Sequence, residues 1–414
     1  MTSPFPLTKS RVFGLLGAAF MISTKCLAAS LMILGACSSA QSQTPTVETS
    51  QTKSSSNQLQ SAAPPASPAP LPDGLVLKSV GAPALYALGD ALLISTFDVD
   101  ENKPRERHFY LVRQGRLQHQ KSLRLAPDMA SSRFEAVGLF PNRVFAIAHG
   151  SDENNSYERL LQYKHDAPEG WVDLKAAVVP FWLSAWKQQI WGLVKDPAQP
   201  LNLRLTRLDE SAPDIPLPKG NSQACQAFYS KAGRGSFPQL EVQPRGLVSA
   251  GGRLFVMGMG CESRLTMAIW SSPEAAPELV TLDEPMFFDG RAGTVLSAET
   301  TNSQDFWYFR PAMRPMALAA LWHGEHGRWS KVAWPEEDPD VESLSLDESG
   351  RLWGIVNAKL YVYASGTQKS TPKSWKEQAL PSGCEARSVA AMGKVLWIAC
   401  GNAVARQSIS IQKP

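Results

Sequence analysis

Most of the chain reads as short apolar runs broken by turn residues, and one stretch shows the unit in full. In Val341–Pro381 an alternating run over Glu342–Leu346 meets a turn at Asp347–Glu348–Ser349–Gly350. Further runs follow at Leu352–Val356, Lys359–Ala364 and Trp375–Leu380. Alternation with period two, punctuated by Gly, Asn and Asp, predicts four antiparallel strands joined by tight turns.

The second strand of this unit carries an aliphatic residue followed by a larger apolar one. That pair recurs at Leu92–Leu93–Ile94, Val144–Phe145, Ile190–Trp191, Leu254–Phe255, Phe306–Trp307, Leu352–Trp353 and Leu396–Trp397. The spacing of roughly 44 to 64 residues is that of propeller blades. The longest gap holds an insertion around Pro213–Pro244. Each copy follows a turn, and each turn follows a short run rich in small and aliphatic residues. These runs are Ala84–Ala87, Phe134–Leu139, Phe181–Ala185, Gly246–Ala250, Val295–Ala298, Glu342–Leu346 and Ala386–Ala390. Such residues suit strands crowded round a central axis.

The seventh unit ends after Ala405–Ile411 without a fourth strand, whereas Leu75–Val80 stands alone before the first unit. The expected fold is therefore all-β: a seven-bladed β-propeller of four-stranded antiparallel blades, closed by an N-terminal strand in the last blade. Closure removes a sheet edge that would otherwise invite aggregation. Two packed sandwiches would not explain the shared register and the missing last strand. No ten-residue helical period stands out in the body, which argues against an α/β chain.

Ahead of this body lies an export leader. Lys9 and Arg11 precede apolar runs at Val12–Ile22 and Leu27–Gly35, with Ser23–Thr24–Lys25 between them. The interruption leaves two starts open, Met1 and Met21. The second run ends Leu34–Gly35–Ala36–Cys37–Ser38. This resembles the bacterial lipoprotein signal, in which small residues precede a cysteine that is acylated and becomes the new N-terminus. The resemblance implies a signal peptide over 1–36 and diacylation, palmitate included, at Cys37. Ser38 in place of aspartate implies transfer to the outer membrane. Two or more acyl chains anchor stably where one is marginal.

Residues 37–73 are rich in Ser, Thr, Gln, Pro and Ala and almost uncharged. They lack the apolar period needed to offset the entropy of ordering, and read as a tether to a propeller domain spanning 74–414. The formal charge of +3 falls to zero once Lys9, Arg11 and Lys25 leave with the signal. No basic excess remains for phosphate neutralisation, so nucleic acid is not an expected partner.

Cys26 lies in the leader, and four cysteines follow Cys37. In a four-stranded blade, the loop entering the first strand and the loop joining strands two and three share one end. Cys225 and Cys261 occupy those places in the fourth unit, as do Cys384 and Cys400 in the seventh. The repeat register therefore predicts disulfides Cys225–Cys261 and Cys384–Cys400 in an oxidising compartment. A zinc site would want Cys-x-x-Cys spacing, which is absent.

No Gly-x-Ser-x-Gly elbow, phosphate loop or His-Glu-x-x-His occurs. His323 and His326 fall on an expected tip between strands three and four, where a solvated turn is the plain reading. Asp98 and Asp100, and Asp152 in the next unit, lie in acidic loops between strands two and three. These are calcium-ligand types, but the loops lack the glycine and distal glutamate of an EF-hand. No cofactor is expected; calcium is the ion these loops would suit. Glu135, Arg245 and Arg387 occupy equivalent places counted back from the repeated pair, with Glu342 and Glu385 close by. A ring of mixed charge at a channel mouth would hold a polar ligand, or simply pair within itself. Trp191, Trp307, Trp353 and Trp397 share one repeat position and read as packing residues. Trp182 and Trp186 have no assigned place.

Asp347–Glu348–Ser349–Gly350–Arg351–Leu352–Trp353–Gly354 resembles the Asp-x-x-Gly-x-Leu-Trp turn of NHL, sugar-lactonase-like and two-component-regulator propeller repeats. The resemblance implies the fold. Lactonases of that class hold a metal through acidic and amide side chains in the channel, and the inner strands here lack the asparagines. The address and broad fold are also similar to the outer-membrane assembly lipoprotein family, whose propeller has eight blades against the seven units here. The leading expectation is a non-enzymatic binding or scaffold propeller, anchored to the outer membrane by lipid and serving an envelope protein or polysaccharide. The alternatives are an envelope lyase, lactonase or hydrolase using Glu135, Glu342 or Glu385, and an outer-membrane assembly factor.

Overall fold

The computed structural model describes residues 71–409, apart from 79, 98–106, 124–132, 140–142, 152–155, 165–169, 177, 196–202, 209–212, 233–239, 287–292, 298–304, 313–316 and 365–373. Cys37, Asp98, Asp100 and Asp152 lie outside the described residues, as do the leader and nearly all of the tether.

Seven four-stranded antiparallel sheets form a ring. Blade 1 comprises Gly81–Leu88, Ala91–Phe97, Arg107–Arg113 and Arg116–Leu123. Blade 2 comprises Arg133–Leu139, Arg143–Ser151, Ser156–Tyr163 and Trp171–Asp173. Blade 3 has Trp182–Trp186, Gln189–Lys195, Leu203–Arg207 and Ile215–Pro216; blade 4 has Val242–Ala250, Arg253–Gly260, Arg264–Trp270 and Glu278–Pro285. Blade 5 has Thr294–Leu296, Asp305–Arg310, Ala320–Glu325 and Arg328–Lys331; blade 6 has Val341–Leu346, Leu352–Val356, Lys359–Ala364 and Ser374–Gln378. Blade 7 takes Ala386–Met392, Val395–Cys400 and Ala403–Ser408 from the end of the chain and Gly74–Lys78 from its start.

Each repeated apolar pair falls in the second strand of its blade. These strands are buried on both faces, as in Leu352–Val356 and Ala91–Phe97, because each blade is pressed between two others. That position explains a continuous apolar run where a half-exposed strand would alternate. The core is accordingly divided. Among the described residues, seven clusters of buried apolar side chains occur, one in each gap between successive blades. The ring is closed by the cluster that sets Leu92 and Ile94 of blade 1 against Trp397 of blade 7.

Side chains also tie inner strands to their neighbours. The Tyr86 hydroxyl donates to Phe134 O at 2.5 Å, and Ser345 Oγ accepts from Ala391 N at 2.9 Å. Trp186 is buried beside Trp191 and donates Nε1 to Gly252 O at 2.8 Å, which binds blade 3 to blade 4. Trp182 packs on the same cluster. Both are packing residues.

The Asp347 turn is held by one buried carboxylate. Oδ1 accepts from Ser349 N at 2.9 Å, Ser349 Oγ at 2.6 Å and Arg351 N at 3.1 Å. Oδ2 accepts from Arg351 Nε and Trp353 Nε1, both at 2.8 Å. Burial pushes this carboxyl up, but the donors from Ser349, Trp353 and Arg351 outweigh it, so it lies below its ordinary value. Asp347 thus fixes the first hairpin of blade 6 to the indole at the head of the second strand.

One element departs from expectation. The insertion before blade 4 contains a ten-residue helix, Gln223–Ala232. Ser222 caps it, its Oγ accepting from Cys225 N at 3.2 Å. Cys225 and Tyr229 are buried on its inner face.

Candidate functional site

Because the strands of a blade alternate in direction, every inner strand starts at the end that carries the turns between strands two and three. Both disulfides lie at this end. Cys225 is joined to Cys261 and Cys384 to Cys400, with Cα–Cα distances of 4.8 and 5.1 Å. The first fastens the helix to blade 4; the second fastens the entry of blade 7 to the end of its second strand.

Three of the five charged residues expected at the channel mouth share a backbone feature. Ladder register shifts between Pro244 and Gly246, between Val341 and Ser343, and between Ala386 and Ser388. The residues left over are Arg245, Glu342 and Arg387. A bulge takes its extra residue out of the ladder and re-aims the side chain, and bulges gather beside functional sites. In blade 4 the bulge depends on Gly258, where a Cβ would sit 1.8 Å from Gln243 O.

The structure brings Glu342, Glu385 and Arg387 together. Arg387 Nη1 lies 3.4 Å from Glu342 Oε1, and its Nη2 pairs with Glu385 Oε1. Glu385 is steadied by the adjacent disulfide and by its carbonyl, which accepts from Gly401 N at 2.9 Å. Partial burial pushes the Glu342 carboxyl above its ordinary value; Arg387 pulls the other way, while Asp340 and Glu385 add to the rise. Arg245 is half-buried and donates Nη1 to Pro244 O at 3.2 Å. No ion pair among the described residues joins it to a carboxylate.

Glu135 sits differently. Its strand is paired without a bulge, opposite Ile147. The partner of Phe145 is Val137, whereas that of Phe255 is Val248. The connecting hairpin is one residue longer in blade 2, so an equal count from the repeated pair reaches a different place in the sheet. Neither Glu135 nor Arg245 belongs to the Glu342–Arg387–Glu385 group.

The expected tip holds only one of the two histidines. His326 lies in the turn with φ of 51° and is exposed. His323 lies inside the third strand of blade 5, buried, stacked on Trp307 at 4.2 Å and bonded through Nε2 to the Asp305 carboxylate. The two imidazoles line clefts on opposite sides of blade 5, so they do not form a joint metal site. Cys225, Glu241 and Cys261 bring ligand-type atoms within 4.8 Å of one another. Both sulfurs are already bonded to each other, and a disulfide sulfur is not the thiolate a metal needs.

No family model matches the chain, and no curated protein sequence matches it. Solved structures of similar shape include virginiamycin B lyase from Staphylococcus aureus, at 9% identity over 81% of this chain and 98% of that one, with a TM-score of 0.44. A puromycin-hydrolyzing peptidase from Mycobacterium tuberculosis aligns at 14% identity over 83% of this chain and 55% of its own, with a TM-score of 0.47. The β-propeller domain of the Trilobed protease from Pyrococcus furiosus aligns at 9% identity over 82% and 99%, with a TM-score of 0.41. These similarities concern the propeller fold alone.

Proposed function

We propose that this chain is a lipid-anchored protein of the bacterial outer membrane whose propeller binds a polar partner at the channel mouth and does no chemistry on it. The observation that carries this reading is the set of charges on bulged inner strands. Arg387 stands between two carboxylates, and Arg245 has no carboxylate of its own among the described residues. Such a mouth offers both signs of charge to an envelope protein or polysaccharide. The anchor rests on the order of charge, apolar run and Cys37 in the leader. Replacing Cys37 by Ala should abolish incorporation of labelled palmitate and release the chain from the outer-membrane fraction; retained label would end the lipoprotein reading.

Glu342 supplies the test of the mouth. A carboxylate whose folded pKa is raised contributes stability below its ordinary value and loses it as pH rises through the folded value. At neutral pH the charged form therefore burdens the fold, as binding residues often do. Glu342→Gln should change stability by no more than about 0.5 kcal/mol. Combined with Arg387→Gln and Arg245→Gln, it should cut crosslinking of envelope components to the mouth face at least tenfold. Unchanged crosslinking would overturn the proposal. The enzyme reading is separated by replacing Glu135, Glu342 and Glu385 with Gln. Loss of an envelope-polymer turnover that the unaltered chain supports would favour the enzyme; unchanged turnover would sink it.

A further inference from the structure

A second site lies on the flank of the ring, away from the mouth. Blades 5 and 6 are separated on their outer half by a cleft of about 650 Å³. One wall is the cross-strand pair of His323 and Ser330, with the buried Trp307 stacked behind His323. The other is the row in which Tyr363 pairs with Trp375. The walls meet where Tyr363 sets its edge against Trp307 at 5.3 Å. Trp334 closes one side, stacked on Trp375 with centroids 5.7 Å apart and planes 22° apart. Both of these indoles are half-buried, and their ring planes are fixed by Nε1 bonds of 2.9 Å, from Trp334 to Ala319 O and from Trp375 to Ala333 O. The result is a preorganised aromatic surface with a polar rim of Ser330, Ser374 and His323.

The charges around the cleft are already matched. Lys331 pairs with Glu284 at 3.1 Å, and the Asp305 carboxylate is hydrogen-bonded to His323 Nε2. Glu336 accepts from Tyr361 at 2.7 Å, from Lys359 at 3.1 Å and from Asn357, which together hold its carboxyl down to about 2. What remains for a ligand is aromatic surface and neutral hydrogen-bonding groups. The bond from Nε2 to Asp305 leaves Nδ1 as the His323 nitrogen for a ligand hydroxyl.

We propose that this cleft binds a neutral saccharide. A sugar ring offers an apolar C–H face to indole and phenol rings and a rim of hydroxyls to serine and imidazole. A volume of this size suits one or two such rings. Matched charge argues against an ionic ligand, and the fixed aromatic planes reduce the ordering cost of binding. This site is separate from the mouth and does not depend on the function proposed there.

The test uses the full chain in detergent, titrated calorimetrically with neutral trisaccharides of glucose and of N-acetylglucosamine, and with a uronic-acid trisaccharide. Saturable binding of a neutral sugar is expected, at least tenfold weaker in Trp375→Ala and in Ser330→Arg. Ser330 is exposed, so its arginine should fill the cleft with an unchanged melting temperature, which separates blocking from unfolding. Absence of saturable binding by both neutral sugars, equal affinity in Ser330→Arg, or tighter binding of the uronic-acid sugar that Trp375→Ala weakens would overturn the proposal.

Discussion

Replacing Glu284 by Leu is expected to cost about 3–5 kcal/mol of stability, the loss associated with stranding a buried charge. Glu284 lies near the end of the outer strand of blade 4, and Arg310 ends the second strand of blade 5. Both side chains are buried, at 4% and 1% exposure. Arg310 Nη2 bonds to Glu284 Oε1 at 2.5 Å and to Leu318 O at 2.9 Å. Glu284 Oε2 accepts from Lys331 at 3.1 Å and from Trp322 Nε1 at 3.3 Å. Removing the carboxylate leaves a guanidinium in the gap between two blades with only carbonyls to face. Adding Arg310→Met to the Leu variant should restore most of the loss, because a well-packed apolar pair is often as stable as a buried ion pair. Urea denaturation of the single and double variants reads this directly; a double variant as unstable as Glu284→Leu would reject the ion-pair account. The pH dependence has a definite sign. Burial pushes the Glu284 carboxyl up, yet the donors from Arg310 and Lys331 outweigh it and leave it below its ordinary value. Its contribution is therefore present above the ordinary carboxylate value and is lost as pH falls through the folded one.

This pair was not legible in the sequence, and the reason is physical. The residues are 26 positions apart and belong to different blades. Strand periodicity reports which face a residue takes within one sheet, not what the next sheet sets against it. The available signal was Arg310 itself, a charge ending the apolar run Phe306–Phe309. The blades were legible because middle strands, buried on both sides, leave continuous apolar runs that turn residues must interrupt. The helix has a signal in the sequence: Ala224, Cys225, Phe228, Tyr229 and Ala232 follow helical spacing behind the capping Ser222. Its place in a Pro-rich insertion made it read as loop. At the mouth, counting along the chain located Arg245 and Arg387 at matching bulges but misplaced Glu135, since hairpin length varies between blades. The flanking cleft combines residues of two outer sheet regions, which no single-strand pattern brings together, while Trp307, read as a packing residue, is buried behind its wall.

Deleting Leu71–Lys78 should abolish cooperative folding of the propeller. Gly74–Lys78 is the fourth strand of blade 7, with Leu75 opposite Ala405 and Lys78 opposite Ala403. It is held at one end by Asp73, whose carboxylate accepts from Ser408 N and Ser408 Oγ at 3.0 Å and from Arg406. At the other end Val80 N donates to Asn402 O at 3.0 Å. Without the strand, Ala403–Ser408 becomes an open edge, a template for pairing with other chains. Leu71, Val76 and Leu77 would also leave the cluster between blades 7 and 1, and Leu75 the one between blades 6 and 7. Each such side chain is worth up to about 1.5–3 kcal/mol when fully buried, less here because burial is partial. Their combined loss approaches the whole stability of an ordinary domain, roughly 5–15 kcal/mol. The remaining seam between blades 7 and 1 has no covalent link, so its opening exposes two apolar blade faces at once. Calorimetry should show no sharp transition, and light scattering should show association. A sharp transition near that of the unaltered chain would mean that the blade-to-blade clusters close the ring unaided. The converse variant tests the same lock. Lys78→Cys with Ala403→Cys joins two facing residues of blade 7, one from each end of the domain, and oxidation should stabilise the ring by about 4–5 kcal/mol because the closed loop spans nearly the whole domain. Reduction should return the melting temperature to that of the unaltered chain, since nothing else in the seam has changed.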